Sequence, residues 1–243
     1  MSDDVSAAGS ECFVTLFDQA YLTYGLVLAR SLRRQLPDAR LFIIAMGDPR
    51  LVATLIRLGF PAEDIIPISE VETRHPELLR IKPNRHTGEY CWTVTPFAVE
   101  QVFARCPRAT RATYLDADLW FCDSPLRLLT ELERAGKQVL MTEHAFSPAY
   151  VHNERLGRFC VQFVPFTRDS GALTVMRSWQ EQCIDWCFDR YDGERFGDQK
   201  YLDQWPERFP DIVHVSTQPE LTQAPWNRAR FAEIGRASCR ARV

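Results

Sequence analysis

The sequence lacks long hydrophobic runs, an excess of basic residues and a secretion signal. No stretch approaches the ~18–20 consecutive apolar residues that a membrane-spanning helix requires. The 29 Lys and Arg residues against 32 Asp and Glu residues give a formal charge of −3, which disfavours a protein that binds nucleic acid by neutralising phosphates. The start, Met-Ser-Asp-Asp, has neither the basic nor the apolar region of a signal peptide. We therefore expect a cytoplasmic protein that binds no nucleic acid and has no transmembrane segment.

Several catalytic signatures are also missing. The chain has no Gly-x-Gly-x-x-Gly, Walker or Gly-x-Ser-x-Gly motif, which disfavours dinucleotide dehydrogenases, P-loop NTPases and serine hydrolases. The five histidines have no metal-binding spacing, and none of the eight cysteines forms a Cys-x-x-Cys pair. Several cysteines lie in apolar runs, so we expect buried, reduced thiols and no zinc or disulfide framework.

The first third of the chain alternates apolar strand patterns with amphipathic helix patterns. Predicted strands cover residues 12–17, 41–46 and 64–68, with helices between them. This order predicts an α/β fold with a mostly parallel central sheet flanked by helices. Residues 70–90 are polar and contain two prolines, so we predict an irregular segment there. We expect one domain at residues 12–230, a flexible start at 1–11 and a non-native or disordered tail at 231–243.

Two carboxylates interrupt an apolar stretch in the middle of the chain. Residues 113–121 read Thr-Tyr-Leu-Asp-Ala-Asp-Leu-Trp-Phe, and we predict a strand there. Asp116 and Asp118 would then point to one face, at Cα atoms ~7 Å apart. Uncompensated carboxylates repel one another, and a hard divalent cation shared with a diphosphate would relieve that repulsion. The alternative is a solvated turn or strand end.

Two other acids occupy positions where chemistry or helix capping would each explain them. Asp18 follows the first strand, where open α/β sheets bind nucleotides, but it can equally cap the next helix. Asp198 lies in the run Phe-Gly-Asp-Gln-Lys-Tyr and can cap a short helix there.

Five motifs in order resemble a bacterial group of glycosyltransferases similar to family 8, with the GT-A fold of nucleotide-diphospho-sugar transferases. They are residues 89–96 (Glu-Tyr-Cys-Trp-Thr-Val-Thr-Pro), 114–119 (Tyr-Leu-Asp-Ala-Asp-Leu), 161–163 (Val-Gln-Phe), 196–203 (Phe-Gly-Asp-Gln-Lys-Tyr-Leu-Asp) and 224–227 (Ala-Pro-Trp-Asn). The resemblance runs from about residue 12 to residue 227. It implies a Rossmann-like GT-A fold for nearly the whole chain.

The resemblance also implies roles for particular residues. In such a fold the exit of the first strand holds the base and ribose of the donor, here at Phe17, Asp18 and Tyr21. Asp116 and Asp118 would hold Mn²⁺ or Mg²⁺ on the donor diphosphate, with Asp116 also touching ribose or sugar.

Further donor-side and catalytic roles follow from the same resemblance. Lys82 and Arg85 would contact the diphosphate or sugar hydroxyls, although a solvated basic loop would explain them as well. Asp198 and Gln199 match an Asp-Gln pair that lies beside the transferred sugar in related enzymes.

The implied function is transfer of a sugar from a nucleotide-diphosphate donor to a hydroxyl of a glycan or other acceptor. Retention or inversion stays open, since Asp198, Asp169 and Glu143 are all available as an acceptor base. Members of the group continue past residue 227 into a segment with a metal- or diphosphate-binding His, whereas residues 233–243 form an Arg-rich tail that resembles foreign sequence. The resemblance therefore predicts a C-terminally truncated chain, and the alternative function is a non-catalytic nucleotide-sugar-binding module or an inactive fragment.

Overall fold

Strands and helices alternate along a computed structural model that describes residues 11–231. The strands of this part are β1 (Glu11–Phe17), β2 (Arg40–Ala45), β3 (Ile65–Pro67), β4 (Arg111–Leu115), β5 (Val139–Glu143), β6 (Phe159–Cys160), β7 (Phe163–Thr167) and β8 (Val213–Val215). Its α-helices are α1 (Leu22–Gln35), α2 (Arg50–Arg57), α3 (Ile68–Arg74), α4 (Pro76–Ile81), α5 (Thr87–Val94), α6 (Ala98–Arg105), α7 (Leu126–Arg134), α8 (Ser170–Asp185) and α9 (Trp205–Arg208). No helix within residues 11–231 is long and apolar enough to cross a membrane. The expectations for residues 1–10 and for the tail after residue 231 lie outside the described residues.

One mixed sheet organises the molecule. Its strand order is β3-β2-β1-β4-β7-β5-β6, and β8 pairs with β5. The strands β1 to β4 are parallel to one another, whereas β7 runs antiparallel to both β4 and β5. The predicted α/β fold with a mostly parallel central sheet is confirmed. The topology brings the carboxyl ends of β1, β4 and β5 and the start of β7 to one edge of the sheet.

Hydrophobic side chains cover both faces of this sheet. On one face, residues of β1, β2 and β4 pack with α5, α6 and α8, around Trp179 and Trp205. On the other face, alternate residues of the same strands pack with α1, α2 and α7, around Phe13 and Leu32. Strands buried on both faces explain the continuous apolar runs that the sequence shows at these positions.

Two local predictions are wrong. Residues 70–90 are largely helical, because buried Val71 and Leu78 anchor α3 and α4 and Pro76 occupies the first turn of α4, where proline is tolerated. The predicted strand 113–121 ends at Leu115. On the β1 side, pairing with β4 stops at Tyr114 although β1 continues to Phe17, because the chain turns at Asp116, where the Leu119 N–H donates to the Asp116 carbonyl oxygen.

Candidate active site

The two carboxylates of the Asp-x-Asp motif lie in a turn at the carboxyl end of β4. The Asp116 N–H donates to the carbonyl oxygen of Gln162 at 3.1 Å, and the Leu119 N–H donates back to the Asp116 carbonyl oxygen at 3.3 Å. Asp116 is half-buried and Asp118 is exposed. The prediction that both side chains leave one face of a strand is therefore wrong, although the turn still places them at the substrate-binding edge of an α/β sheet.

Asp116 is electrostatically unfavourable in its ionised form. The Tyr114 hydroxyl donates to its Oδ1 at 3.0 Å. Burial, and next the charge of Asp118, nevertheless raise the pKa of Asp116 to about 7. Within residues 11–231 no Lys or Arg forms an ion pair with either carboxylate. A positive charge brought by a ligand would stabilise the pair.

Asp198 supplies a third carboxyl group from the loop after α8. The Trp179 indole N–H donates to the Asp198 carbonyl oxygen at 2.9 Å. Burial, and next the charge of Asp116, raise the pKa of Asp198 to about 8, although hydrogen bonds from the Thr95 hydroxyl and from backbone N–H groups oppose this shift. Gly197 has φ +52°, a conformation that L side chains rarely adopt, and this turn aims Asp198 inward.

The structure gives Gln199 the position that Asp198 would need as a helix cap. Gln199 is the N-cap residue of the 3₁₀ helix Lys200–Gln204, and its side chain does not cap that helix. Instead its amide donates to the carbonyl oxygen of Leu156 at 3.1 Å. The capping interpretation of Asp198 therefore does not describe this loop.

The charges of all three carboxyl groups act on one buried thiol. Burial raises the pKa of Cys160, and the charges of Asp116, Asp198 and Asp118 raise it further. Thr95 joins the group, since its hydroxyl lies 3.5 Å from the Tyr114 hydroxyl. Motifs separated by about eighty residues in sequence thus meet at one edge of the sheet.

The exit of β1 lies at the same edge. The Asp18 carboxylate accepts hydrogen bonds from the N–H groups of Ala20 at 2.9 Å and Tyr21 at 3.2 Å, so it caps a 3₁₀ turn. Phe17 is buried, whereas Tyr21 is 50% exposed, with its ring centroid 5.3 Å from that of Tyr24. Asp18 is oriented by its capping bonds and leaves an exposed aromatic surface beside it.

Lys82 and Arg85 differ in their availability. The Lys82 ammonium donates to Glu72 Oε1 at 2.6 Å and lies 5.0 Å from the Tyr90 ring. Arg85 forms no ion pair with any carboxylate among residues 11–231, and its guanidinium carbon lies 3.7 Å from the centroid of the Phe188 ring. Of the two cations, Arg85 is the one that a substrate could bind without displacing a partner.

The sheet separates the remaining acceptor-base candidates. Glu143 ends β5 at the site edge, where Arg158 Nη2 lies 2.5 Å from its Oε1. Asp169 follows β7, whose Thr167 pairs with Arg111 at the opposite edge. Topology therefore removes Asp169 from the site.

Three residues that support the carboxylates were not predicted from the sequence. Tyr114 and Thr95 form hydrogen bonds around Asp116 and Asp198, and the charges of all three acids act on Cys160. The only available signal was that Tyr114 lies two residues before Asp116 in a predicted strand. Thr95 and Cys160 come from distant segments, and only the tertiary fold brings them to the site.

Comparisons with solved structures define the fold. Mouse xyloside xylosyltransferase 1 in its apo form has a TM-score of 0.54 at 13% identity, and the match covers 96% of this chain and 95% of that one. The galactosyltransferase LgtC, in complex with donor and acceptor sugar analogs, has a TM-score of 0.53 at 15% identity, covering 86% of this chain and 73% of LgtC. Core-mannan synthase A of Aspergillus fumigatus, in an Mn/GDP form, has a TM-score of 0.50 at 9% identity and coverages of 92% and 79%. The chain has the GT-A glycosyltransferase fold.

Sequence comparison identifies relatives that show the family of the chain. No model of a known protein family matches it. The uncharacterized protein YfnD of Bacillus subtilis (strain 168) is 30% identical over 218 residues, which span 88% of this chain and 68% of YfnD. YfnF of the same organism, also uncharacterized, is 27% identical over 224 residues, covering 90% of this chain and 72% of YfnF. The chain belongs to the family of YfnD.

Proposed function

We propose that the protein is a glycosyltransferase of the group similar to family 8, which transfers a sugar from a nucleotide-diphosphate donor to an acceptor hydroxyl. One observation carries the proposal: Asp116, Asp118 and Asp198 converge at the carboxyl edge of a GT-A sheet without a cationic side chain to neutralise them. Buried acids in such a state are costly to the fold. Groups with strongly shifted pKa values in a substrate-binding edge are candidates for function.

The donor nucleotide would lie at the exit of β1. Asp18 and the exposed ring of Tyr21 would face the base and ribose, and the buried ring of Phe17 would support them from below. Gly25 lets α1 approach this exit closely, because a Cβ there would lie 2.3 Å from Phe17 Cε1. The relevant surface is thus held by close packing of α1 against the end of β1.

A divalent cation suits Asp116 and Asp118. No group of three or more His, Cys, Asp or Glu side chains within residues 11–231 is arranged to hold a metal by itself. Two carboxylates with open coordination positions are typical of Mg²⁺ and Mn²⁺ sites completed by substrate phosphates and water. When bound, such an ion supplies positive charge for the leaving diphosphate. Core-mannan synthase A, of the same fold, is described in an Mn/GDP form, which supports this proposal.

The protein's own residues would orient the transferred sugar. Burial, and next the charge of Asp116, raise the pKa of Asp198 to about 8, which lets it hold a proton at neutral pH and so donate a hydrogen bond to a sugar hydroxyl. Gln199 would contact the same sugar once its amide leaves the Leu156 carbonyl oxygen. Arg85 would contact the sugar or diphosphate from the α5 side.

A thermal-shift panel of UDP-, GDP-, CMP- and dTDP-sugars, each with Mn²⁺ or with EDTA, tests the proposal. We expect one nucleotide class to stabilise the protein by about 2.7 kcal/mol at one hundred times its Kd, mainly with Mn²⁺. Asp116→Asn should abolish the metal-dependent part. Asp38→Asn, in the exposed turn after α1, is the matched control.

Incubating the stabilising donor with candidate acceptors then separates two functions. Release of nucleoside diphosphate with formation of a glycoside supports the transferase. Binding without transfer supports a nucleotide-sugar-binding module. The absence of any nucleotide-dependent shift would contradict both.

A further inference from the structure

Three arginines near Asp198 lie over aromatic rings and form no ion pair with a carboxylate of residues 11–231. The guanidinium carbons of Arg85 and Arg190 lie 3.7 Å and 4.5 Å from the centroid of the Phe188 ring. That of Arg155 lies 5.9 Å from the Tyr191 ring. We call these five residues the arginine–aromatic cluster.

The positive charge of this cluster is compensated in part by Glu89, on whose carboxylate the charge of Arg85 acts without forming an ion pair. No ion pair joins Arg85, Arg155 or Arg190 to a carboxylate in the part of the chain that the structure describes, although Asp189 and Glu154 are their neighbours in sequence. The Nε of Arg85 is also buried without a hydrogen-bond partner. By contrast, Arg195 of the same loop is paired with Asp192 and Asp185.

Two hydrogen bonds connect the cluster to the proposed reaction centre. The Gly197 N–H donates to the carbonyl oxygen of Phe188 at 3.1 Å. Phe188, whose ring contacts two of the arginines, is thus hydrogen-bonded to the residue before Asp198. The Gln199 amide donates to the carbonyl oxygen of Leu156, the neighbour of Arg155. The cluster therefore flanks Asp198 and Gln199, whereas the proposed nucleotide surface lies at the exit of β1.

Stacked guanidinium groups are suited to binding anions. Stacking fixes the plane of each group and leaves its N–H edge free for bidentate contacts with a carboxylate or phosphate. Positive charges that form no ion pair repel one another, and an anion bound among them would be stabilised.

We propose that the acceptor carries an anionic group, a carboxylate or a phosphate, and that Arg190 and Arg155 bind this group. Arg85 lies between the bound anion and the transferred sugar. This inference rests on the proposed glycosyltransferase function and adds the substrate class. It requires that the anion lie on the side of Asp198 and Gln199 away from the nucleotide.

Binding of three simple probes tests the inference. Methyl glucuronide carries a carboxylate, glucose 6-phosphate carries a phosphate, and methyl glucoside is the neutral counterpart. NMR titrations that monitor the backbone amide chemical shifts of residues 186–199 should give at least tenfold tighter binding for one charged probe than for the neutral one. The two charged arms distinguish carboxylate from phosphate recognition.

Variants assign the effect to the cluster. Arg190→Gln and Arg155→Gln should each lower the affinity for the charged probe by roughly tenfold, as expected for loss of one charge-assisted contact. Arg208→Gln is the matched control, because Arg208 also stacks on a ring, that of Phe209, at 5.1 Å. Equal affinity for charged and neutral probes, or unchanged affinity in the double variant, would overturn the inference.

Nucleotide affinity distinguishes this failure from failure of the proposed function. Binding of a nucleoside diphosphate with Mn²⁺ should be unchanged in Arg190→Gln and Arg155→Gln. A parallel loss of nucleotide and probe binding would assign these arginines to the donor and refute an acceptor site. A wild-type protein that binds no nucleotide would refute the transferase instead, whatever the probes do.

Discussion

Replacing Asp116 by Asn should change how stability depends on pH. Asn has nearly the same size and keeps an oxygen that can accept the hydrogen bond from the Tyr114 hydroxyl, but it does not titrate. In the wild type, burial and the Asp118 charge raise the Asp116 pKa from 3.8 to about 7. The folded protein therefore holds a proton that the unfolded chain releases, and this contribution to stability is lost as pH rises from about 4 to about 7.

The size of the effect follows from the shift. Three pKa units at about 1.4 kcal/mol each set an upper limit of about 4 kcal/mol. Asp116 is only half-buried, so solvent screening reduces the expected value to about 2 kcal/mol. About two of the three units titrate between pH 5 and pH 8, so over that range, without metal, the variant should gain about 1 kcal/mol of unfolding free energy relative to the wild type.

Urea denaturation in EDTA at pH 5, 6, 7 and 8, followed by tryptophan fluorescence, measures this difference. Trp179 and Trp205 are fully buried and report on the core. Titrating groups away from the site contribute equally to both proteins and cancel in the comparison, whereas Asp198 loses the influence of the Asp116 charge in the variant and adds to the difference. Asp38→Asn is the control for a carboxylate outside the site. Parallel pH profiles of the wild type and Asp116→Asn would refute the electrostatic description of the site.

Four further substitutions test separate parts of the structure. Asp118→Asn removes one repelling charge, so the metal-free protein should hold or gain stability in urea titrations, and a clear loss would favour a structural role. Gly25→Ala places a Cβ 2.3 Å from a ring carbon of Phe17 and should cost about 1–3 kcal/mol by calorimetry, whereas an unchanged melting temperature would show that α1 can shift freely. Asn227→Ala removes a fully buried amide that bonds three backbone groups and should cost about 2–4 kcal/mol in urea, with a loss below 1 kcal/mol contradicting this role. Burial would raise the pKa of Glu131, but hydrogen bonds, first from the Thr217 N–H, hold it at about 2. Glu131→Gln should therefore lose stability at pH 7 and differ less from the wild type as pH falls from about 4.5 towards 2. A stability difference that stays constant over this pH range would refute the prediction.

The sequence was informative where one signal dominated. Continuous apolar runs identified β1 and β2, because strands buried on both faces need apolar side chains at every position. Residues 70–90 misled the prediction, since Pro76 looked like a helix breaker although it occupies a first helical turn. Proline there marks a helix start as readily as a loop.

The candidate site was only partly readable. Asp116 and Asp118 stood out as charges in an apolar stretch, but their turn depends on where pairing with β1 ends, which is a tertiary property. Asp198 was recognised by its motif, while its contact with Thr95 depends on the packing of α5 and α8. Arg155 and Arg190 carried no sequence signal, because an unpaired arginine is recognised only when every possible partner has a position.

The metal dependence of nucleotide binding decides whether Asp116 and Asp118 form a metal-assisted nucleotide-diphosphate site. Isothermal titration calorimetry with the nucleoside diphosphate chosen by the thermal-shift panel tests it most directly, in Mn²⁺ and in EDTA, for the wild type and Asp118→Asn. We predict wild-type binding at least tenfold tighter in Mn²⁺ than in EDTA, and loss of that gain in the variant. Equal affinities in Mn²⁺ and EDTA, or an unchanged metal effect in Asp118→Asn, would contradict the assignment of these carboxylates.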